Sequence, residues 1–225
     1  MSLNVEKHIA YWRDGAEEDF DVAKELFGNG RYRYALFFAH LAVEKMLKAH
    51  VAKKMREYPP KIHNLLRLVQ LADLSIDKEH MNTLKRLNAY QIEGRYPEVS
   101  SAYDRSERPD SGNTEGNRMV EESIVKTLRQ YVAALPKFGV HPQRVVLYGS
   151  FATGKAHEWS DIDVVVIAPE FDENRNMETV EKLWLATADA DNRIEPIACG
   201  MREWESDSPR PILAIARREG IEITA

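Results

Sequence analysis

Apolar residues along the first 90 positions recur at helical spacing. Val5, Ile9, Trp12, Ala16 and Phe20 lie three or four residues apart and predict the buried face of one helix. Gly28-Asn29-Gly30 predicts its stop and turn. A second helix is predicted over residues 32–55, carrying Leu36, Phe37, His40, Leu41, Val43, Leu47 and Val51. Between residues 35 and 43 it is apolar over much of its circumference, as the central helix of a bundle should be. Pro59-Pro60 breaks the chain, and shorter helices over 64–74 and 77–90 repeat the period. Helices joined by short turns predict an antiparallel bundle. Residues 97–117 turn polar (DRSERPDSGNTEGN) and predict a loop. A helix over 118–135 follows, with Val120, Ile124, Leu128, Tyr131 and Leu135 on one side. It fits the bundle, the next domain, or both.

After Pro136 the pattern alternates between strands and helices. Strands are predicted over 144–148, 161–168, 193–199 and 221–224, with helices over 178–189 and 210–219. Pro196 restricts its strand to an edge or a bulge. The fold class expected is α plus α/β (α+β). An N-terminal antiparallel helical bundle fills residues 1–135, and a domain built on a small mixed sheet fills 136–225.

At 225 residues the chain has room for these two domains. Its 44% hydrophobic and 30% charged residues suit a soluble globular protein. The formal charge of −5 argues against a protein that coats nucleic acid. That charge is uneven: residues 136–225 carry 10 Lys or Arg against 16 Asp or Glu, and residues 1–135 carry 21 against 20. Cys199 stands alone, which excludes a disulfide framework. No membrane-length apolar run and no signal-peptide core is present, so no membrane association and a cytoplasmic location are expected.

The chemistry concentrates in Gly149-Ser150-Phe151-Ala152-Thr153-Gly154, a five-residue loop, and Ser160-Asp161-Ile162-Asp163. A strand that ends in Gly-Ser presents backbone N–H groups and a hydroxyl at a tight turn, a cradle for phosphate oxygens. Asp161 and Asp163, two apart on a strand, project from one face. Carboxylates held that close repel unless a divalent cation lies between them. Mg²⁺ is expected, because it favours carboxylates together with substrate phosphates.

The stretch GSFATGKAHEWSDIDVVVI resembles the signature of the minimal nucleotidyltransferases of the polymerase-β-type superfamily. RIEPIACG and PILAIARREGIEI are similar to that family's third strand and closing helix-strand. The resemblance covers residues 132–225. It implies that Gly149 and Ser150, in a pattern that continues through Gly154 and Ser160, hold the triphosphate. Asp161 and Asp163 would bind metal, with Glu195 as the third acidic ligand. The implied reaction moves a nucleoside monophosphate from an NTP, with ATP expected, to a hydroxyl acceptor on a small molecule, a protein or an RNA end. Two positions depart from the family pattern: Thr153 stands where Arg is common, and Glu195 where Asp is usual.

The first half resembles the HEPN helical bundles, through YRYALFFAHLAVEKMLKAH, IHNLLRLV and GRYPE. Many members are ribonucleases with an Arg followed shortly by a His. Here Arg86 and Arg95 have no His between them and His141, while Arg33 with His40 and Arg56 with His63 fit the count but sit too early in the chain, so ribonuclease activity is not expected. The alternative is a HEPN-type nucleotide-binding or ribonuclease-like regulatory module, as in toxin–antitoxin pairs, with weak or no transfer. The apolar breadth of the 32–55 helix predicts a homodimer. The basic stretch 45–67 is read chiefly as solvated charge near a helix C-terminus. His40 and Cys199 read as core, and Trp159 as a residue that packs its loop. His63 is divided between a helix-start role and a nucleotide contact. Lys155 and His157 are divided between phosphate contact and exposed loop.

Overall fold

The computed structural model describes residues 5–95, 120–173 and 176–223. Helices α1 (Val5–Gly28) and α2 (Tyr32–Met55) form a hairpin around the predicted turn, where Gly30 takes φ 71°. The buried line on α1 is Ala16, Asp19 and Ala23, whereas Phe20 is exposed, which corrects the expected face. Two small alanines let the helices approach. Asp19 turns inward because Lys45 of α2 pairs with it at 2.7 Å.

After α2 come α3 (Leu65–Leu71) and α4 (Lys78–Arg95). The third helix is shorter than the predicted 64–74, because Asp73 turns to a left-handed conformation at φ 56°. Leu47 and Val51 of α2 pack with Ile62, four apolar residues of α3, Ala72 and Leu84 into the first core. The predicted loop over 97–117 lies outside the described residues.

Helix α5 (Glu122–Ala134) buries Ile124, Leu128 and Tyr131 in a second core, the one that covers the sheet. Strand β1 (Arg144–Leu147) runs into α6 (Gly149–Thr153), and then into β2 (Ile162–Ile167). Helices α7 (Glu170–Glu173) and α8 (Met177–Ala186) lead to β3 (Ile194–Cys199). Helices α9 (Met201–Glu205) and α10 (Pro211–Glu219) then lead to β4 (Ile221–Glu222). The five-residue α6, four-residue α7 and five-residue α9 carry too little periodicity to be read from sequence.

The strand order is β3-β2-β1-β4. Strands β2 and β3 are parallel, while β1 is antiparallel to both β2 and β4. The sheet is therefore mixed, and Pro196 falls on an edge strand. No helix among the described residues is long and apolar enough to cross a membrane.

The helical part and the sheet are joined by specific contacts. Ala89 of α4 enters the sheet's core, while Arg86 Nε and Tyr90 OH donate to Glu181 of α8 at 2.8 and 3.3 Å. Asn64 caps α3 by accepting from the Leu66 and Arg67 amides, and its Nδ2 donates to Asn192 O at 2.6 Å. Asn88 Nδ2 also donates to Asn64 Oδ1. Asn64 is thus a cap and a bridge at once, in a nearly dry position. Asn64→Ala is expected to cost about 2–3 kcal/mol, a lost cap plus stranded buried partners. Asn64→Ser, which keeps a capping oxygen but not the bridge, should fall between. Urea unfolding midpoints measure both, and an Ala variant as stable as the parent would refute the assignment.

Candidate active site

The ends of β1, β2 and β3 meet where β1 gives way to α6. Tyr148 N–H donates to Asp163 O at 2.9 Å and ties the end of β1 to β2. Gly149 then takes φ 69°, and a Cβ there would collide with Asp163 Oδ2. Glycine is required on both counts. Ser150 is half-buried in the first turn of α6, and Gly154 caps that helix at φ 70° with its N–H on Ser150 O. Thr153 closes on its own turn, its hydroxyl donating to Gly149 O at 2.9 Å.

Asp163 lies directly opposite Glu195 in the parallel β2–β3 register. Register partners leave a sheet on the same face, and the two-residue period puts Asp161 there too. Ser160 is buried, and its hydroxyl accepts from the His157 amide at 2.9 Å, so it shapes the loop before the aspartates. Sequence therefore assembled Gly149, Asp161, Asp163 and Glu195 at one end of the sheet, with Ser150 beside them. Gly154 and Ser160 stand in the turns that frame them. Among the described residues no group of three His, Cys, Asp or Glu side chains is arranged to hold a metal ion by itself.

Both aspartates resist ionisation. Burial, reinforced by the charge of Asp161, pushes the Asp163 carboxyl up to about 7. Burial pushes Asp161 up to about 6, although the Arg67 and His63 charges oppose the rise. Asp161 Oδ1 is buried with no hydrogen-bond partner. Its neighbour Arg67 Nη1 stands 3.9 Å away, beyond hydrogen-bonding distance.

Arg67 is the residue that sequence reasoning missed, counted there only as part of a basic stretch. It sits in α3, 8% exposed, and reaches across to the loop before the aspartates. Nη2 donates to Glu158 O at 2.6 Å and Nη1 to Ser160 O at 3.1 Å. Its guanidinium also lies over the Trp159 ring, which packs on the first core. The available signal was its position inside LLRLV, a short apolar helix with little polar face.

One residue before the Asn64 cap, His63 Nδ1 lies 3.2 Å from both oxygens of Glu44. Glu44 also accepts from Lys48 at 2.7 Å. Burial would raise the Glu44 pKa, but the His63 hydrogen bond and the Lys48 charge outweigh it and lower it. The lysines of the basic stretch are largely engaged: Lys45 with Asp19, Lys48 with Glu44, Lys54 with Asp73.

The raised pKa values fix a sign. A carboxyl that binds its proton more tightly when folded makes the native state the better proton acceptor from about pH 4 to about 7, so stability falls as pH rises through that window. In metal-free protein, Asp163→Asn should gain on the order of 2 kcal/mol over the parent at pH 8, after allowance for solvent screening. The two should converge near pH 4. Thermal unfolding in chelator across this range measures the difference, and a constant offset would refute the burial argument.

A family model for the HEPN domain matches residues 9–131, and one for the nucleotidyltransferase domain matches residues 125–195. The second match begins inside α5, takes in the Gly149-Ser150 turn and both aspartates, and ends at Glu195. No curated protein matches the chain, and no solved structure does. With the first match spanning more than half of the chain, this protein belongs to the HEPN domain family and carries a nucleotidyltransferase domain behind its helical part.

Proposed function

We propose that the chain transfers a nucleoside monophosphate from an NTP, with ATP as the expected donor, to a hydroxyl acceptor. The observation that carries this reading is Asp163 held against Gly149 and opposite Glu195, with Asp161 two residues before it, inside a nucleotidyltransferase match. The donor set fits Mg²⁺: the carboxylates are oxygen ligands, and the buried Asp161 Oδ1 accepts no hydrogen bond from the protein. Asp161 and Asp163 would hold the ion, with Glu195 beside them. When bound, Mg²⁺ supplies charge neutralisation for the triphosphate and polarisation of the phosphoryl group that is transferred.

The chain's own residues do the rest. The first amides of α6 and the Ser150 hydroxyl orient the triphosphate. Glu195, on the edge strand, takes the proton of the acceptor hydroxyl. The acceptor oxygen bonds to the α-phosphorus, the bond from that phosphorus to the bridging oxygen breaks, and pyrophosphate leaves. Asp161→Asn and Asp163→Asn should fold and lose at least about 100-fold in metal-dependent transfer. Glu195→Gln should lower turnover more than NTP affinity, since its charge matters as the proton moves. Labelled NTP incubated with the protein and cell extract reads both. Undiminished transfer by the double aspartate variant would overturn the site.

The same reading includes a homodimer. Phe20, Phe27, Tyr32 and Tyr34 are exposed on the α1–α2 hairpin, and Leu36, Phe37, Phe38 and Leu41 are only half-buried. An apolar surface of this kind favours a second copy, joined by a two-fold axis. Light scattering should give twice the chain mass of 25.8 kDa, and a monomer at micromolar concentration would end the dimer reading.

A further inference from the structure

We propose that Arg67 of α3 is a positioning residue for the carboxylate site, fixing the loop that presents Asp161. The proposal rests on the reading of Asp161 as a metal ligand. Three contacts carry it. The guanidinium donates to two carbonyls of one short segment, Glu158 O and Ser160 O. It covers the Trp159 ring between them. Its Nη1 stops 3.9 Å from Asp161 Oδ1, which itself lacks a hydrogen bond.

The geometry separates holding the loop from neutralising the aspartate. A guanidinium that served to neutralise Asp161 would close on it with two parallel hydrogen bonds, the arrangement its fork favours. Here the fork grips the backbone on either side of Trp159. Asp161 Oδ1 is left buried near a positive charge, with no hydrogen bond from it. Trp159 fixes the other side of the segment by packing on the first core. The loop closes on itself between His157 and Ser160, and α3, an element of the HEPN match, seats that closed turn against the helical part. Competence of the carboxylate site then depends on the docked helical part.

This role predicts an effect opposite in sign to simple electrostatics. A cation 3.9 Å from a metal ligand repels the metal, so removing it should tighten divalent binding. Loss of positioning should weaken it. Full-length protein is titrated with Mn²⁺ alone, with free Mn²⁺ followed by electron spin resonance. The variants are Arg67→Gln, Arg67→Lys, Asp161→Asn and Arg86→Gln, the last cutting the separate contact to Glu181.

Arg67→Gln is expected to weaken Mn²⁺ affinity about tenfold, as loss of a group that orients a ligand does. Amide hydrogen exchange should rise over residues 157–161. Arg67→Lys, which keeps the charge but cannot hold both carbonyls, should also weaken binding and guards against a Gln variant that fails to fold. Arg86→Gln should bind Mn²⁺ like the parent. Affinity unchanged or increased in both Arg67 variants overturns the positioning role, as does an equal loss in Arg86→Gln. Mn²⁺ binding unaltered by Asp161→Asn instead removes the metal-ligand reading beneath it, a different failure.

Discussion

Two carboxylates of like charge, held near each other where a dry sheet ends, are the constraint around which this molecule is arranged. Burial makes Asp161 and Asp163 costly to ionise, and the charge of Asp161 makes Asp163 costlier still. A fold keeps such a pair only if the surrounding structure fixes it more firmly than the repulsion disperses it. Strand β2 supplies most of that firmness. Val164, Val165, Val166 and Ile167 are fully buried, and the strand is bonded on both sides. Asp163 cannot leave the site without a register slip, which would turn this apolar run out of its packing.

The second support comes from outside the sheet. The loop before the aspartates has little core of its own: Lys155, Ala156, His157 and Glu158 are exposed. Its order comes from the Ser160–His157 closure and from the grip of α3. The same seven-residue helix buries Leu65, Leu66, Leu68 and Val69 in the first core and is capped by Asn64, which reaches Asn192 before β3. Through α3, the packing of the helical part bears on the segments that lead into both β2 and β3. Helix α4 adds a parallel attachment on α8 through Ala89 and Glu181. The two parts therefore share a site loop and a core, which a flexible tether would not achieve.

Much of this was legible in the sequence because it rests on local rules. The 32–55 helix and the apolar strand after Asp161 announce themselves by period and composition. Gly149 could be singled out because a strand that ends in Gly-Ser presents amides and a hydroxyl at a tight turn; the carboxylate that leaves it no room for a side chain came only with the fold. Pro196 narrowed its strand to an edge or a bulge, because a residue with no N–H cannot serve a regular central one, and the fold takes the edge. What stayed hidden depended on partners far apart in the chain. Phe20 matches the helical period as well as Asp19 does, and only Lys45 across the hairpin decides which turns inward. Arg67 looked like one more member of a basic stretch, since nothing in LLRLV names the carbonyls 91 and 93 residues away that receive it. The ownership of α5 was open for the same reason: its apolar stripe is plain, but the surface it meets is not local.

The electrostatic cost of the site and its capacity to act are one property seen twice. A carboxylate with every oxygen satisfied by the protein has its charge already neutralised and little left to offer a cation. The buried Asp161 Oδ1 has no hydrogen bond and both aspartates hold their protons more tightly than usual, so neutralisation of this pair by the protein is left incomplete. Arg67 fits this logic by standing close enough to fix the loop and too far to bond the acid. Were it 1 Å nearer, Asp161 would be compensated within the protein by a direct hydrogen bond. The stability withheld from this one corner is supplied by the two apolar cores that flank it, one reached through Trp159 and the other through Ile162.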